Sequence, residues 1–506
     1  MRTKKAIYNI ATSLPYQIVS IICGLIAPRL ILASFGSTYN GVINSATQFL
    51  SIITILNLGI SGATRVALYK TLGTGDILGT SRIMKATKNY MRKVAFCLVA
   101  YSVALCIIYP LISHNDLSRM DNMLLIAIVS ISSFAEYFFG ISNQTLLTAD
   151  QASYVMNIVN IVKIIINTIL IAVLIRFGAS IYVVKLGSAV IFFIAPVILE
   201  IYTKKKYKLT NDCTPDDSAI KNRGAVAFHS IANIIHNNTD LIVLTIFTDA
   251  KLISVYTVYY LIVGKVKSLM SVFTTGLEGA FGDMWVKKET DAINRNFRMF
   301  EYGIFTFTAI MFSCVGLLIL PFIEQYTKGV TDINYMRVGF AILVTVTEAA
   351  HCLRQPYLTL VQAAGFYEET KTGALIEALF NIGISLILVK PLGINGVMIG
   401  TLVANVFRTV QYSVFISKNI LHRRYSQIVH RLLWLLMVCA VIVVCALPMY
   451  KTFSFPAGWS GWLVQAVITF TISCAVALVM SLIFYKSDFL LFKNVFIRAL
   501  GKRIKR

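Results

Sequence analysis

The stretch from Leu432 to Tyr450 reads "LLWLLMVCAVIVVCALPMY". No charge interrupts its 19 residues. As an α-helix, about 20 such residues cross the roughly 30 Å hydrocarbon core of a bilayer. Comparable runs recur along the chain, at about 13–35, 41–69, 94–113, 123–147, 154–176, 181–202, 226–248, 252–281, 299–323, 335–362, 372–390, 394–416, 431–450 and 460–485. The 506 residues are 57% hydrophobic and 14% charged, with a mean hydropathy of +0.73. A soluble chain carries about 25% charge. The runs do not alternate at period two, which sets aside a β-barrel. The reading is an all-α polytopic membrane protein with about 14 transmembrane helices. The first run is not a cleaved signal, because Arg29 lies inside it and no small-residue cleavage site follows.

The connections set the orientation. With a cytoplasmic N-terminus, about 31 of the 46 Lys and Arg fall in cytoplasmic segments, about 7 outside and 8 within the runs. By the positive-inside rule, both termini are expected in the cytoplasm. The net charge of +23 then reflects topology, not nucleic-acid binding. The tail "FLLFKNVFIRALGKRIKR" reads either as an amphipathic helix on an anionic leaflet or as a solvated basic tail. Nine cysteines form no C-x-x-C pair, and all but Cys213 sit in apolar runs, so neither a disulfide framework nor a metal site is expected. "GTGDILGT" (Gly73–Thr80) lacks a preceding strand and a following GK[ST], and reads as a loop. With no nucleotide cassette and no sizeable extramembrane domain, any transport must happen among the helices.

The polar loop 204–225 separates residues 1–203 from 226–417, two sets of six spans, and a pair with the basic tail follows at 418–506. Span 2 ends in Gly59-Ile-Ser-Gly62-Ala and span 8 in Gly276-Leu-Glu-Gly279-Ala. An echo at matching places suggests internal duplication, a transporter habit that puts the substrate path between the halves. These four glycines, and Pro28, are hinge candidates, with Pro28 breaking span 1 just before Arg29.

Basic residues within the runs are Arg29, Arg65, Lys163, Lys185, Lys265, Lys267, Arg354 and Arg408; the acidic ones read there are Glu136, Asp240, Glu278, Glu348 and Glu377. Each costs roughly 2.5–3.5 kcal/mol at a helix centre, so an interior, a partner or water must receive it. Lys185 and Arg65, near span ends, also fit snorkelling. Polar stripes mark interior faces. His229, Asn233, His236 and Asp240 fall at i, i+4, i+7 and i+11; Asn44, Gln48, Ser51, Ser61 and Arg65 align in span 2; Asn157, Asn160 and Asn167 share a face beside Lys163; and Glu377, Asn381 and Ser385 share one in span 11. Interhelical hydrogen bonding accounts equally for the Asn and Ser residues. The cation excess points to an anionic passenger, since Arg pairs phosphate through its fork and Lys acts as a point charge.

"AAGFYEETKTGALIEALFNIGISLILVKPLGINGVMIGTLVANVFR" (Ala363–Arg408), "APRLILASFGSTYNGVINSATQFLSIITILNLGISGATRVALYKTL" (Ala27–Leu72) and "HNNTD" resemble the Wzx-type polysaccharide (O-antigen) flippases of the multidrug/oligosaccharidyl-lipid/polysaccharide exporter superfamily. The resemblance runs over nearly the whole chain. It implies a MATE-like fold of two six-helix bundles plus a C-terminal pair in the bacterial cytoplasmic membrane. It also implies translocation of undecaprenyl-pyrophosphate-linked oligosaccharide to the outer leaflet, for O-antigen and lipopolysaccharide assembly, by alternating access driven by a proton or sodium gradient. Polysaccharide assembly proteins are implied as further partners, with no cofactor. Arg29, Arg65, Lys163, Lys265, Lys267, Arg354 and Arg408 become substrate-binding candidates; Asp240, His236, Glu348, Glu377 and Glu136 become ion-coupling candidates. Four alternatives are weighed: a lipid II flippase, a multidrug exporter of the same fold, a membrane polysaccharide polymerase or ligase, and a structural scaffold, which would have no reason to hold so many buried charges. The eight cations disfavour an organic-cation passenger, and the lack of a large external loop disfavours the enzyme. Asp240 is read as a structural partner of a cation or as a coupling carboxylate shared with His236.

Overall fold

The computed structural model describes residues 2–57, 60–210, 212–217, 238–275, 277–452 and 455–493. Among these the chain is helical, with no strand beyond an isolated bridge between His114 and Asp249. It divides into two compact units, residues 1–257 with 329–333, and residues 258–328 with 334–506.

The first unit opens with α1 (Arg2–Ser51), which runs through Pro15 and Pro28 and changes direction at Gly36, where φ is 83° and ψ 179°. The break expected at Pro28 is thus eight residues further on. A proline removes a single rung of the helix ladder, whereas the positive φ at Gly36 is a conformation that only glycine adopts freely. The restarted helix is capped from a distant segment: Ser37 donates through its backbone N–H to Asp332 Oδ2 at 2.7 Å and through its hydroxyl to Oδ1 at 2.6 Å. A 3₁₀ turn over Ile52–Asn57 leads to α2 (Ile60–Thr74).

Gly75, with φ 72°, and Asp76, which caps α3 (Ile77–Ile112) by accepting from Gly79 N–H at 2.8 Å, make the turn. "GTGDILGT" is therefore a two-residue connection whose second half is already helix. The helix begins 17 residues before the expected span because the polar extension beyond the bilayer keeps helical propensity without being apolar. The unit continues with α4 (Arg119–Ala135), a π-turn over Glu136–Gly140, α5 (Ile141–Ala149), α6 (Ser153–Arg176), α7 (Ile181–Tyr207), α8 (Asn238–Phe247) and the start of α9 (Ala250–Thr275). Val42, Ala46, Ala95, Leu98, Leu125 and Ile126 form its core.

The second unit takes the rest of α9, then α10 (Glu278–Val286), α11 (Thr290–Tyr326), α12 (Val338–Ala364), α13 (Tyr367–Leu392), α14 (Ile394–Asn419), α15 (Ser426–Thr452) and α16 (Trp459–Phe484), with a further helical stretch over 486–493. Gly393 turns α13 directly into α14. Their backbones then meet so closely that a Cβ on Gly396 would lie 2.1 Å from the Leu388 carbonyl oxygen. Small residues at a helix contact are how membrane helices gain packing where lipid offers no hydrophobic drive.

Among the described residues, eleven helices are long and apolar enough to cross a membrane. Three features separate this count from fourteen. The first two expected spans form one helix broken at Gly36. The seventh lies mostly outside the described residues. The tenth, α12, carries Glu348, His351 and Arg354, which lower its hydropathy. The chain is a multi-pass helical membrane protein.

Candidate functional site

In the first unit the polar residues of α1 meet α8 and α9. Asn40 donates to the Ser254 hydroxyl at 2.7 Å, Ser51 donates to Asn238 Oδ1 at 2.5 Å, and Gln48 donates to the same oxygen. Asn44 donates to its own helix at the Asn40 carbonyl, 2.8 Å, and reaches Thr257 at 3.5 Å. Asp240 is buried on α8 and accepts from the Tyr256 hydroxyl at 2.8 Å. The span 2 stripe is thus largely an interhelical hydrogen-bond seam as far as Ser51. Ser61 and Arg65 lie beyond it on α2, where Arg65 is exposed and donates to the carbonyl of Ser61 at 3.3 Å. His229, Asn233 and His236 lie outside the described residues, so the proposed sharing of a proton between His236 and Asp240 stays a sequence reading.

Elsewhere in this unit, Glu136 opens the π-turn and accepts from Gln144 at 2.5 Å. Gly140 leaves the room this needs, since a Cβ there would lie 2.8–3.0 Å from the carboxylate. A π-turn inside a helix often marks a functional position. Lys163 lies with Nζ 4.9 Å from the Phe192 ring centre. Arg29 and Lys185 are half-buried on α1 and α7.

The second unit holds charge against charge. Glu377 on α13 bridges two arginines, Arg354 of α12 through Oε1 and Arg408 of α14 through Oε2, the latter at 3.3 Å. Arg354 and Arg408 are 5% and 2% exposed. His351 Nδ1 lies 3.0 Å from Arg354 Nη2, and Arg408 donates to the Thr370 carbonyl, Gln411 and the Tyr412 hydroxyl at 2.9, 2.5 and 2.5 Å. Two guanidinium groups thus share one carboxylate in a largely dry site. Nearer the start of the unit, Glu348 accepts from Tyr260 at 2.7 Å and pairs with Lys267 at 3.3 Å. Lys267 is 28% exposed at its side chain against 3% for Glu348, so the cation is the accessible partner. Lys265 is half-buried and Glu278, on α10, is exposed.

Of the substrate candidates, Arg354, Arg408 and Lys267 therefore hold carboxylates in this conformation. Of the hinge candidates, Gly59 and Gly276 lie outside the described residues. A Cβ on Gly62 or Gly279 would meet nothing within 4 Å, so close packing does not account for either. Gly62 lies in the first turn of α2 and Gly279 in the first turn of α10.

The sequence reading missed two acids inside its own spans. Glu301 on α11 is fully buried and receives Arg423 at 2.5 and 2.8 Å, Arg431 at 2.9 Å and the Tyr357 hydroxyl at 2.7 Å. Arg431 continues to Asp488 at 3.0 Å, and Asp488 to Arg298 at 2.5 Å, so alternating charges fasten α15 and the 486–493 stretch to α11. Glu200 on α7 takes Lys88 and Lys204 at 3.0 and 3.3 Å. The available signal was an acid within a few residues of a basic segment at a span end.

No protein-family model matches the chain, and no curated protein matches it. Solved structures do. A MATE family multidrug-resistance transporter of the MOP superfamily, in an inward-facing conformation, superposes with a TM-score of 0.64 at 14% identity, over 79% of this chain and 94% of its own. The lipid II flippase MurJ, in an inward closed conformation, superposes with a TM-score of 0.64 at 16% identity, over 94% of this chain and 99% of its own. A eukaryotic MATE transporter, AtDTX14, gives 0.56 at 13%, over 82% and 95%. The fold is the one shared by MATE transporters and the lipid II flippase.

Proposed function

We propose that the chain is a flippase that moves an undecaprenyl-pyrophosphate-linked oligosaccharide from the cytoplasmic to the outer leaflet, by alternating access coupled to an ion gradient, and that it is a transporter, not an enzyme. The observation that carries this reading is the extent of the likeness to a flippase of lipid II: 94% of this chain is covered, against 79% and 82% for the two MATE transporters. Coverage of 94% cannot leave out both α15 and α16, which together span 426–484. At least part of 426–484 therefore has a counterpart in the lipid II flippase.

The passenger's phosphates are assigned to Arg29, Lys163, Lys265 and Lys267. Arg354 and Arg408 serve to hold α12–α14 around Glu377, and exchange onto phosphate only in a different conformation. Asp240, Glu348 and Glu136 are the coupling candidates; they accept from Tyr256, Tyr260 and Gln144, and Glu348 also pairs with Lys267, which must leave it to meet phosphate. A lipid II passenger is the second reading, favoured by the same coverage.

Expression in strains lacking either kind of flippase separates the two, with lipid-linked intermediates scored in each leaflet. Restored outward movement of the oligosaccharide intermediate supports the first reading, and restored lipid II movement the second. Failure in both strains, with efflux of organic cations instead, overturns the proposal.

A further inference from the structure

At the Tyr207 end of α7, this helix, α3 and the segment after Tyr207 line a cavity of about 220 Å³, which contains none of the residues assigned to the passenger or to coupling. Its wall brings together Lys85, Lys88 and Arg92 of α3, Glu200 and Lys204 of α7, and Thr210. The three α3 residues fall at i, i+3 and i+7, one helical face. Four cations thus line the cavity with one carboxylate, and Glu200 Oε1 is already shared by Lys88 at 3.0 Å and Lys204 at 3.3 Å. Lys88 is 14% exposed at its side chain, so this is more than a fringe of solvated lysines.

The wall is built rather than incidental. Lys85 donates to the Cys213 carbonyl at 2.8 Å, Thr210 N–H donates to Ser81 at 3.2 Å, and Asp216 N–H donates to the Arg82 carbonyl at 3.2 Å. The Arg92 guanidinium sits 5.1 Å from the Phe138 ring centre. Asp212, Asp216 and Asp217 are the described acids of that segment, and none of them is part of the cavity wall.

Cations packed this closely repel one another, and an anion between them relieves the repulsion. Two chemistries meet here, point-charge ammonium groups and a planar guanidinium, and together they suit phosphate oxygens. The volume suits a phosphate or diphosphate group and is too small for an oligosaccharide. From Arg92 the face of α3 continues into exposed Phe96, Val99 and Val103, and α7 presents exposed Ile194, Ile198 and Ile201 on its approach to Lys204. Apolar surface leading to a basic cavity is how a lipid is held by its chains and its head group.

We propose that this cavity is a phosphate-binding site, filled by the head group of an anionic membrane lipid or by a soluble phosphate compound, and separate from the path of any passenger. The test uses the full chain in nanodiscs, with Arg92→Gln/Lys204→Gln as the cavity variant and Lys93→Gln/Lys205→Gln as the control. Both variants lose two exposed cations, and both keep the Lys88–Glu200 pair that supports the fold. Inorganic pyrophosphate is titrated calorimetrically in phosphatidylcholine discs, and phosphatidylglycerol retention is read by native mass spectrometry.

Saturable pyrophosphate binding, about tenfold or more weaker in the cavity variant and unchanged in the control, establishes the site with a soluble occupant. The same pattern in phosphatidylglycerol retention establishes it with a lipid occupant. Equal loss in both variants, or no saturable binding of either probe to the wild type, overturns the proposal.

Discussion

The α1–α8–α9 seam of the first unit and the α12–α13–α14 cluster of the second are both buried and polar, yet they are built differently. The seam pairs amides with hydroxyls and amides, and its acid, Asp240, meets a tyrosine. Each such contact contributes about 0.6 kcal/mol in a membrane. The cluster sets two arginines on one glutamate. There the large quantity is the cost of leaving a charge alone, about 3–5 kcal/mol for a broken buried pair. Polar residues in apolar helices thus serve two ends: neutral ones are adjustable contacts, and charged ones are fixed by their counter-charges until something of equal charge replaces them.

Glu377→Gln tests this contrast with the largest effect. It leaves Arg354 and Arg408 facing a neutral amide, and is expected to destabilise the protein by about 3–5 kcal/mol, read as thermal unfolding in detergent. Unchanged stability would put the cluster in the same class as the seam. Gly396→Val follows, because its side chain would enter the Leu388 carbonyl. A loss of about 1–3 kcal/mol is expected, and tolerance would mean that α13 and α14 separate readily.

Gly62→Ala should raise stability by up to about 1 kcal/mol, since a Cβ there meets nothing and alanine favours helix. If Gly62 is a hinge, transport falls while stability rises; if both rise or hold, the hinge assignment fails. Asp240→Asn removes a charge and keeps an acceptor for Tyr256, so it is placed last and read on function rather than on stability. Its informative readout is coupling. Gradient-driven accumulation should vanish while downhill exchange persists, and normal accumulation would remove Asp240 from the coupling set.

Much of the helical architecture was legible because spanning a bilayer requires about 20 apolar residues, and that requirement writes itself into composition. The boundaries were less so. α3 outruns its apolar run by 17 residues, because helix continues wherever backbone bonding is satisfied, whether or not lipid surrounds it. The Gly36 bend hid inside "ASFGSTYNG", where a single positive φ and a remote aspartate do what a loop was expected to do. Among site residues, the stripes on α1 and α13 were visible as periodicity, but not what they face. Periodicity put Glu377 on a stripe, but its two arginine partners come from other helices and leave no mark in that pattern. Glu301 escaped notice because its partners, Arg423 and Arg431, are more than 100 residues away in a segment that reads as a basic loop.

The central claim is outward movement of an anionic, lipid-linked sugar. Its most direct measurement is reconstitution of the purified chain in liposomes with labelled undecaprenyl-pyrophosphate-linked oligosaccharide and an imposed ion gradient, following arrival of the label in the opposite leaflet. The account predicts gradient-dependent movement that Lys267→Ala slows at matched protein levels. Movement at the rate of empty liposomes, in proteoliposomes that still transport an organic cation, would contradict it.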